Sequence, residues 1–316
     1  MVPALDYGRK SYFLIQKANG ALLRLTPRKE SPMRTEHDLL GKKQIPDDAY
    51  YGVQSARAME NFHISGVLLS QYPELIRALA MVKLAAARAN YDCNQFSKEI
   101  LTGMEKACQE ILDGKLHEQF AVDMIQGGAG TSTNMAANEV IANRALELMG
   151  HRKGEYQFCD PHNHVNCAQS TNDAYPTALH VAVFLLNEKL IAELRKLVAA
   201  FRKKGAEFHD VIKMGRTQLQ DAVPMTLGQE FNAFAESLDG EIFALERIET
   251  ILHEINMGGT AIGTGLNAPE GYAEKCAAHL AQITGKPIKV ASDLPSAFCQ
   301  ASPSCLPGVA IIRCAN

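Results

Sequence analysis

Apolar residues recur at helical spacing along most of this chain. Leu227, Phe231, Phe234, Leu238, Ile242, Leu245, Ile248, Leu252 and Ile255 step by three or four. A stripe of that length predicts a helix of some eight turns, long enough to belong to a bundle rather than to lie alone on a surface. A second long helix is predicted from Pro176 to Asp210, which has no proline inside it and only Gly205 as an interior glycine. A shorter one follows Ser97 as N-cap, with Ile100, Leu101, Met104, Cys108 and Ile111 on one face and Gly114 at its end. Val140, Ile141, Ala145, Leu148 and Met149 predict another that closes at Gly150. No segment alternates convincingly as a strand, so the predicted class is all-α. The stripe speaks for bundle core and carries no chemistry.

Four polar, glycine-bearing stretches interrupt this pattern: Gln126–Asn138, Asn163–Asp173, Gly215–Gly228 and Gly258–Asn267. Such stretches between apolar helices are where chemistry usually sits. The first two place hydroxyls and amides just ahead of helices, where backbone N–H groups and Ser/Thr side chains can hold a carboxylate. The plainer alternative is helix capping, with Asn134 or Asp173 as the cap. The third offers Arg216, Thr217 and Gln218 in a turn between the two long helices, or simply a polar connection with a salt-bridged arginine.

Composition narrows the field. An apolar share of 47% with 21% charged residues fits a globular chain. A net charge of −3 gives no basic footprint for nucleic acid. No apolar run approaches the roughly 18 residues of a membrane span. Eight cysteines at irregular spacing without C-x-x-C read as reduced thiols of a cytoplasmic protein. Cys299, Cys305 and Cys314 crowd the end without forming a motif. His162 and His164 form an H-x-H, but nothing at ligand spacing completes a metal set, and no cofactor is expected. Residues 1–32 stand apart, with six basic and two acidic side chains. They fit a transit peptide or, in the preferred reading, an extraneous extension ahead of Met33.

The four stretches read GGAGTSTNM, QSTNDAYPTA, GRTQLQDAVPMTLGQEF and GTAIGTGLN, in that order, after DDAYYG at 47–52. Together they resemble the aspartase/fumarase superfamily over roughly Arg34 to Leu294. STND and GRTQLQDAVPM, where fumarases tend to read SSND and GRTHLQDAxPL, favour the aspartate ammonia-lyase branch. Class II fumarase or another fumarate-forming lyase is the nearest alternative, and argininosuccinate and adenylosuccinate lyases look more distant. The resemblance implies a helical N-terminal domain over 33–173 and the first part of a central long-helix bundle over 174–294. It implies removal of ammonia from L-aspartate to give fumarate through a doubly negative aci-carboxylate, a species that dense hydrogen-bond donors stabilise by roughly 3 kcal/mol each. It places Thr131, Ser132, Ser170 and Thr171 among the carboxylate donors and Asn172 near the substrate amino group. Thr217 and Gln218 fall at the other end of the substrate. Ala136 departs from the family's usual asparagine, a change expected to loosen the first loop.

The family's base is a serine on a G-S-S-x-x-M-P-x-K-x-N-P loop, and this chain contains no Ser-Ser dipeptide. Residues 295–316 carry three prolines, three cysteines and a single charged side chain, Arg313. They read as a non-family tail, as if translated out of frame or mis-spliced. The expectation is a chain that binds a small dicarboxylate and turns it over poorly, or a non-catalytic helical fragment or pseudoenzyme. The resemblance further implies a homotetramer for full-length members, each site drawing loops from three chains. With only two long bundle helices here, the stripe on the second is expected to face solvent.

Overall fold

The computed structural model describes residues 32–300. Of the expected extension over residues 1–32, residues 1–31 lie outside the described residues, as do residues 301–316 of the expected tail over 295–316. A hairpin comes first, β1 (Met33–Asp38) against β2 (Gly41–Pro46), paired in antiparallel register from Met33↔Pro46 to Asp38↔Gly41. Helix α1 (Val53–Asn61) follows, then α2 (Pro73–Asp92), α3 (Lys98–Leu112) and α4 (Thr131–Leu148). A single π-helical turn, Pro161–Val165, leads to the 37-residue α5 (Thr171–Glu207). A second hairpin, β3 (Ile212–Thr217) and β4 (Gln220–Thr226), reverses the chain into α6 (Leu227–Leu252). The short strand β5 (Glu254–Ile255), α7 (Tyr272–Thr284), β6 (Lys289–Val290) and α8 (Leu294–Gln300) complete the described chain, with β5 and β6 parallel.

The helices expected from apolar spacing are present, and their caps follow from the residues that flank them. Ser97 Oγ accepts the Ile100 N–H, and Gly114 takes φ +89° just past α3. Helix α5 begins five residues before Pro176 and contains it. The proline ring denies Asn172 its helical N–H partner, and Asn256 Nδ2 donates to that carbonyl instead at 3.0 Å. Helix α6 ends at Leu252, so Ile255 does not extend its stripe but is buried within β5.

The two hairpins are the elements that periodicity missed. In β1 the one buried side chain is Glu36, and β3–β4 exposes most residues on both faces. Neither could show the apolar alternation that marks a half-buried strand. The class remains mostly helical.

One core unites α2 with α3, α4, α7 and the first half of α5, around Ile76, Leu79, Met104, Ile111, Ile141, Phe184 and Leu280. The second half of α5 pairs with α6 through Ile191, Val198, Ala235, Ile242 and Leu245. The α6 stripe is therefore largely covered by α5, and of its members only Phe234 is left exposed, at 47%. A different row stays exposed on the pair: Leu186, Leu190, Leu197, Phe243 and Ile251.

Helix α1 shows how the polar interior is closed. The first four N–H groups of a helix have no partner within it. Here Gly52, Gln54 and Ser55 donate theirs to Glu139 of α4 at 2.7–3.0 Å, and Val53 donates to Glu36 at 3.0 Å. Ser55 Oγ adds a 2.6 Å bond to Glu139, while Tyr156 and Arg34 hold Glu36. Burial pushes the Glu139 carboxyl up to about 7 against these donors. Glu139→Gln replaces one acceptor oxygen by a donor and leaves buried N–H groups unpaired. It should lower unfolding free energy by about 2–4 kcal/mol, read as a lower urea midpoint with unchanged slope.

Candidate functional site

The donors predicted from the first two polar stretches lie on the opening turns of α4 and α5, which come together. Asn134 of α4 donates through Nδ2 to Thr171 Oγ1 at 3.2 Å. Tyr175 of α5 packs so closely on Gly130, the α4 N-cap, that a Cβ there would sit 2.3 Å from the ring. The fourth stretch joins them: Thr260 N–H donates to Asp173 Oδ2 and Asn172 Nδ2 to the Ala261 carbonyl, each at 2.9 Å. Three polar segments far apart in sequence thus share one locality.

Individual side chains stand in different states. Thr131 Oγ1 donates back to the Gly128 carbonyl at 2.6 Å. Ser132 lies beside it, half-buried. Ser170 caps α5, accepting the Asn172 N–H at 3.2 Å while its own N–H goes to Asp173 Oδ1 at 2.9 Å. The α5 N-cap is thus Ser170 rather than Asp173, which serves as the reciprocal third-residue member of a capping box. The capping alternative does not hold for Asn134, which is 1% exposed in the first turn of α4, where Gly130 is the N-cap and supplies no side chain. The backbone N–H groups of Ser132 and Thr171 have no acceptor among the described residues. Helix N-termini of this kind attract an anion.

Thr217 and Gln218 are not part of this locality. They occupy the tip of the β3–β4 hairpin, beyond the far end of α5, whose 37 residues span about 55 Å. Arg216 is paired with Asp221 at 3.1 Å, as the plainer reading of that segment expected. Ala136, where the departure from asparagine was noted, lies inside α4, fully buried in the core. His164 Nδ1 accepts the Asp160 N–H at 2.8 Å, and His162 is exposed.

Sequence reasoning missed the polar cluster beneath the two helix starts. Lys83 of α2 is fully buried and donates to Asn166 Oδ1 at 3.0 Å and Gln169 Oε1 at 2.9 Å. Asn134 and Asn138 also donate to Asn166 Oδ1, at 3.1 and 3.2 Å. Gln126 braces α4 by accepting the Thr133 N–H and donating to its hydroxyl. A lysine at a position that otherwise reads as apolar helix core was the available signal for Lys83.

Backbone strain marks the same places. Among the described residues eight that are not glycine have positive φ, and Ala129, Ala168, Gln218, Leu219, Thr260 and Asn267 of these fall in or at the four polar stretches. Such conformations persist where surroundings impose them and gather at functional sites. Because these residues are not glycine, composition gave no hint of it.

Residues 41–300 match the family described as Lyase. The aspartate ammonia-lyase of Pseudomonas aeruginosa is 57% identical over 262 residues, which cover 83% of this chain and 55% of that protein. That of Escherichia coli K12 is 52% identical over 263 residues, with the same coverage. Among solved structures, a fumarate lyase:delta crystallin from Brucella melitensis bound to cobalt superposes with TM-score 0.83 at 52% identity, covering 84% of this chain and 58% of that one. The class II fumarase of Schistosoma mansoni gives TM-score 0.74 at 34% identity, over 80% of this chain and 53% of its own. The chain belongs to this lyase family and resembles its aspartate ammonia-lyases over about half of their length.

Burial pushes Lys83 down to about 7 and Asp173 up to about 7, and each charge favours the other's ionised form. Between pH 7 and 10.5 the unfolded chain holds the Lys83 proton that the folded chain has released, so stability rises with pH there. Between pH 3.8 and 7 the folded chain holds the Asp173 proton more firmly, so stability falls as pH rises. Urea unfolding across pH should show Lys83→Met flattening the alkaline limb and Asp173→Asn the acidic one.

Proposed function

We propose that this chain serves an aspartate ammonia-lyase, the reversible anti elimination of ammonia from L-aspartate to give fumarate. The observation that carries the reading is the meeting of the α4 and α5 N-termini, with Thr131, Ser132, Ser170, Thr171 and Asn172 around unpaired backbone N–H groups. Proton removal beside a carboxylate produces an aci-carboxylate with two negative charges. Preorganised donors and two helix dipoles stabilise such a species more than they stabilise the substrate. Identity of 52–57% to aspartate ammonia-lyases, against 34% to a class II fumarase, supports aspartate over malate.

Thr217 and Gln218 contact the other end of the substrate in this reading. The length of α5 keeps them from the donors of their own chain, so the hairpin tip of one copy serves the donor cluster of another, within a homotetramer. The exposed row Leu186, Leu190, Leu197, Phe243 and Ile251 supports such helix-to-helix association.

A polypeptide of these 316 residues contains no Gly-Ser-Ser segment to supply the family's base. In this reading such a polypeptide binds fumarate through the donor cluster but lacks the group that would take the substrate proton. Titration calorimetry should show fumarate binding that weakens about tenfold or more in Thr171→Val, the loss of one hydrogen bond to a charged group. L-aspartate, malate and argininosuccinate offered side by side should release no fumarate, followed by ultraviolet absorbance. Clear turnover would overturn the inactivity of this polypeptide, and failure to bind fumarate would overturn the site.

A further inference from the structure

A donor cluster for a dianion needs hydroxyls that point their protons outward, yet a threonine hydroxyl can donate or accept. The surroundings of Thr171 remove that freedom through a series of fixed choices that begins at Lys83.

An ammonium has donors and no acceptor. The atoms 3.0 and 2.9 Å from Lys83 Nζ must therefore be the amide oxygens of Asn166 and Gln169. Gln169 agrees independently, because its Nε2 faces the Val165 and Cys167 carbonyls at 2.9 and 3.1 Å. A neutral amine would keep the same arrangement, since its two N–H bonds match the two amide oxygens. With Asn166 Oδ1 fixed as acceptor, the amides of Asn134 and Asn138 can only turn their nitrogens toward it. Asn134 Nδ2 carries a second hydrogen, and Thr171 Oγ1 accepts it at 3.2 Å. The Thr171 oxygen is thereby occupied from within, and its own proton has no acceptor among the described residues.

The arrangement leaves a visible penalty. The Oδ1 atoms of Asn134 and Asn138 are buried without a hydrogen-bond partner among the described residues. Buried amide oxygens are normally satisfied. Here both are given up so that both nitrogens can face Asn166.

We propose that Lys83, Asn166 and Asn134 form a positioning relay that holds the Thr171 hydroxyl as a donor toward a bound dicarboxylate. None of the three touches that ligand. They act by fixing which way one hydroxyl points, so no reorientation is needed when the anion arrives. The inference rests on the proposed carboxylate site.

A double-mutant cycle on the full chain, read as fumarate affinity by titration calorimetry, tests it. Asn134→Ala and Thr171→Val should each weaken binding about tenfold. The double variant should bind no more weakly than Thr171→Val alone, because Asn134 works only through that hydroxyl. Additive losses, or wild-type affinity in Asn134→Ala, overturn the relay and leave the carboxylate site standing. Absence of fumarate binding by the unmodified chain overturns both. Lys83→Met supplies the same cycle should Asn134→Ala lose its cooperative unfolding transition. Its loss of affinity should likewise vanish in the Thr171→Val background, whereas a general loosening of the fold would weaken binding in both backgrounds.

Discussion

The four unpartnered N–H groups at the start of every helix are the constraint on which this structure turns. Where a helix start is buried for structural reasons, the chain sends acceptors to it. Glu36 and Glu139 close α1 from two different elements, and even the exposed start of α6 is closed by reciprocal Thr226–Gln229 bonds. Where two starts are left partly open, at Ser132 and Thr171, they face each other across a shared polar locality.

Open starts require rigid support, and the protein supplies it with buried polar groups rather than apolar packing. Lys83, Asn134, Asn138, Asn166 and Gln169 form a connected network beneath the donors. Burying a lysine is unfavourable, which is why its proton affinity falls to about 7. Apolar replacements would pack with less penalty but could not dictate the direction of each neighbouring amide. The strained backbone at Ala129, Ala168 and Thr260 belongs to the same balance, since each lies in a loop that feeds this locality.

Helix α5 sets the reach of the chain. Its first half is held by the main core and its second half packs its apolar side chains on α6. The candidate donors Ser170 and Thr171 stand at its start, and Thr217 and Gln218 lie in the hairpin that follows its end, with a helix about 55 Å long between. Glycines at 205 and 228 let the pair close tightly near the hairpin, where a Cβ on Gly228 would meet the Gly205 carbonyl at 2.5 Å. The hairpin tip is thereby carried on a stiff two-helix arm, with Gln218 and Leu219 both held at positive φ.

The helices were legible in the sequence because apolar residues at intervals of three and four leave a one-dimensional trace, and Ser97, Gly114 and Gly150 mark their ends. The motif segments pointed to the family and to Thr131, Ser132, Ser170, Thr171 and Asn172 as donors. The hairpins were not legible, since β1 buries a glutamate and β3–β4 buries almost nothing. Nor could sequence say that Ser170 is also a cap, or that Asn134 is buried rather than capping. Those outcomes depend on which distant atom arrives within about 3 Å. The sequence by itself determined the helical class, the family and which residues stand as candidate donors, because these are written in residue type and spacing. Only the tertiary structure decided that two helix starts meet, that Lys83 lies under them and that Thr217 lies far away, because hydrogen-bond direction and burial are properties of neighbours in space.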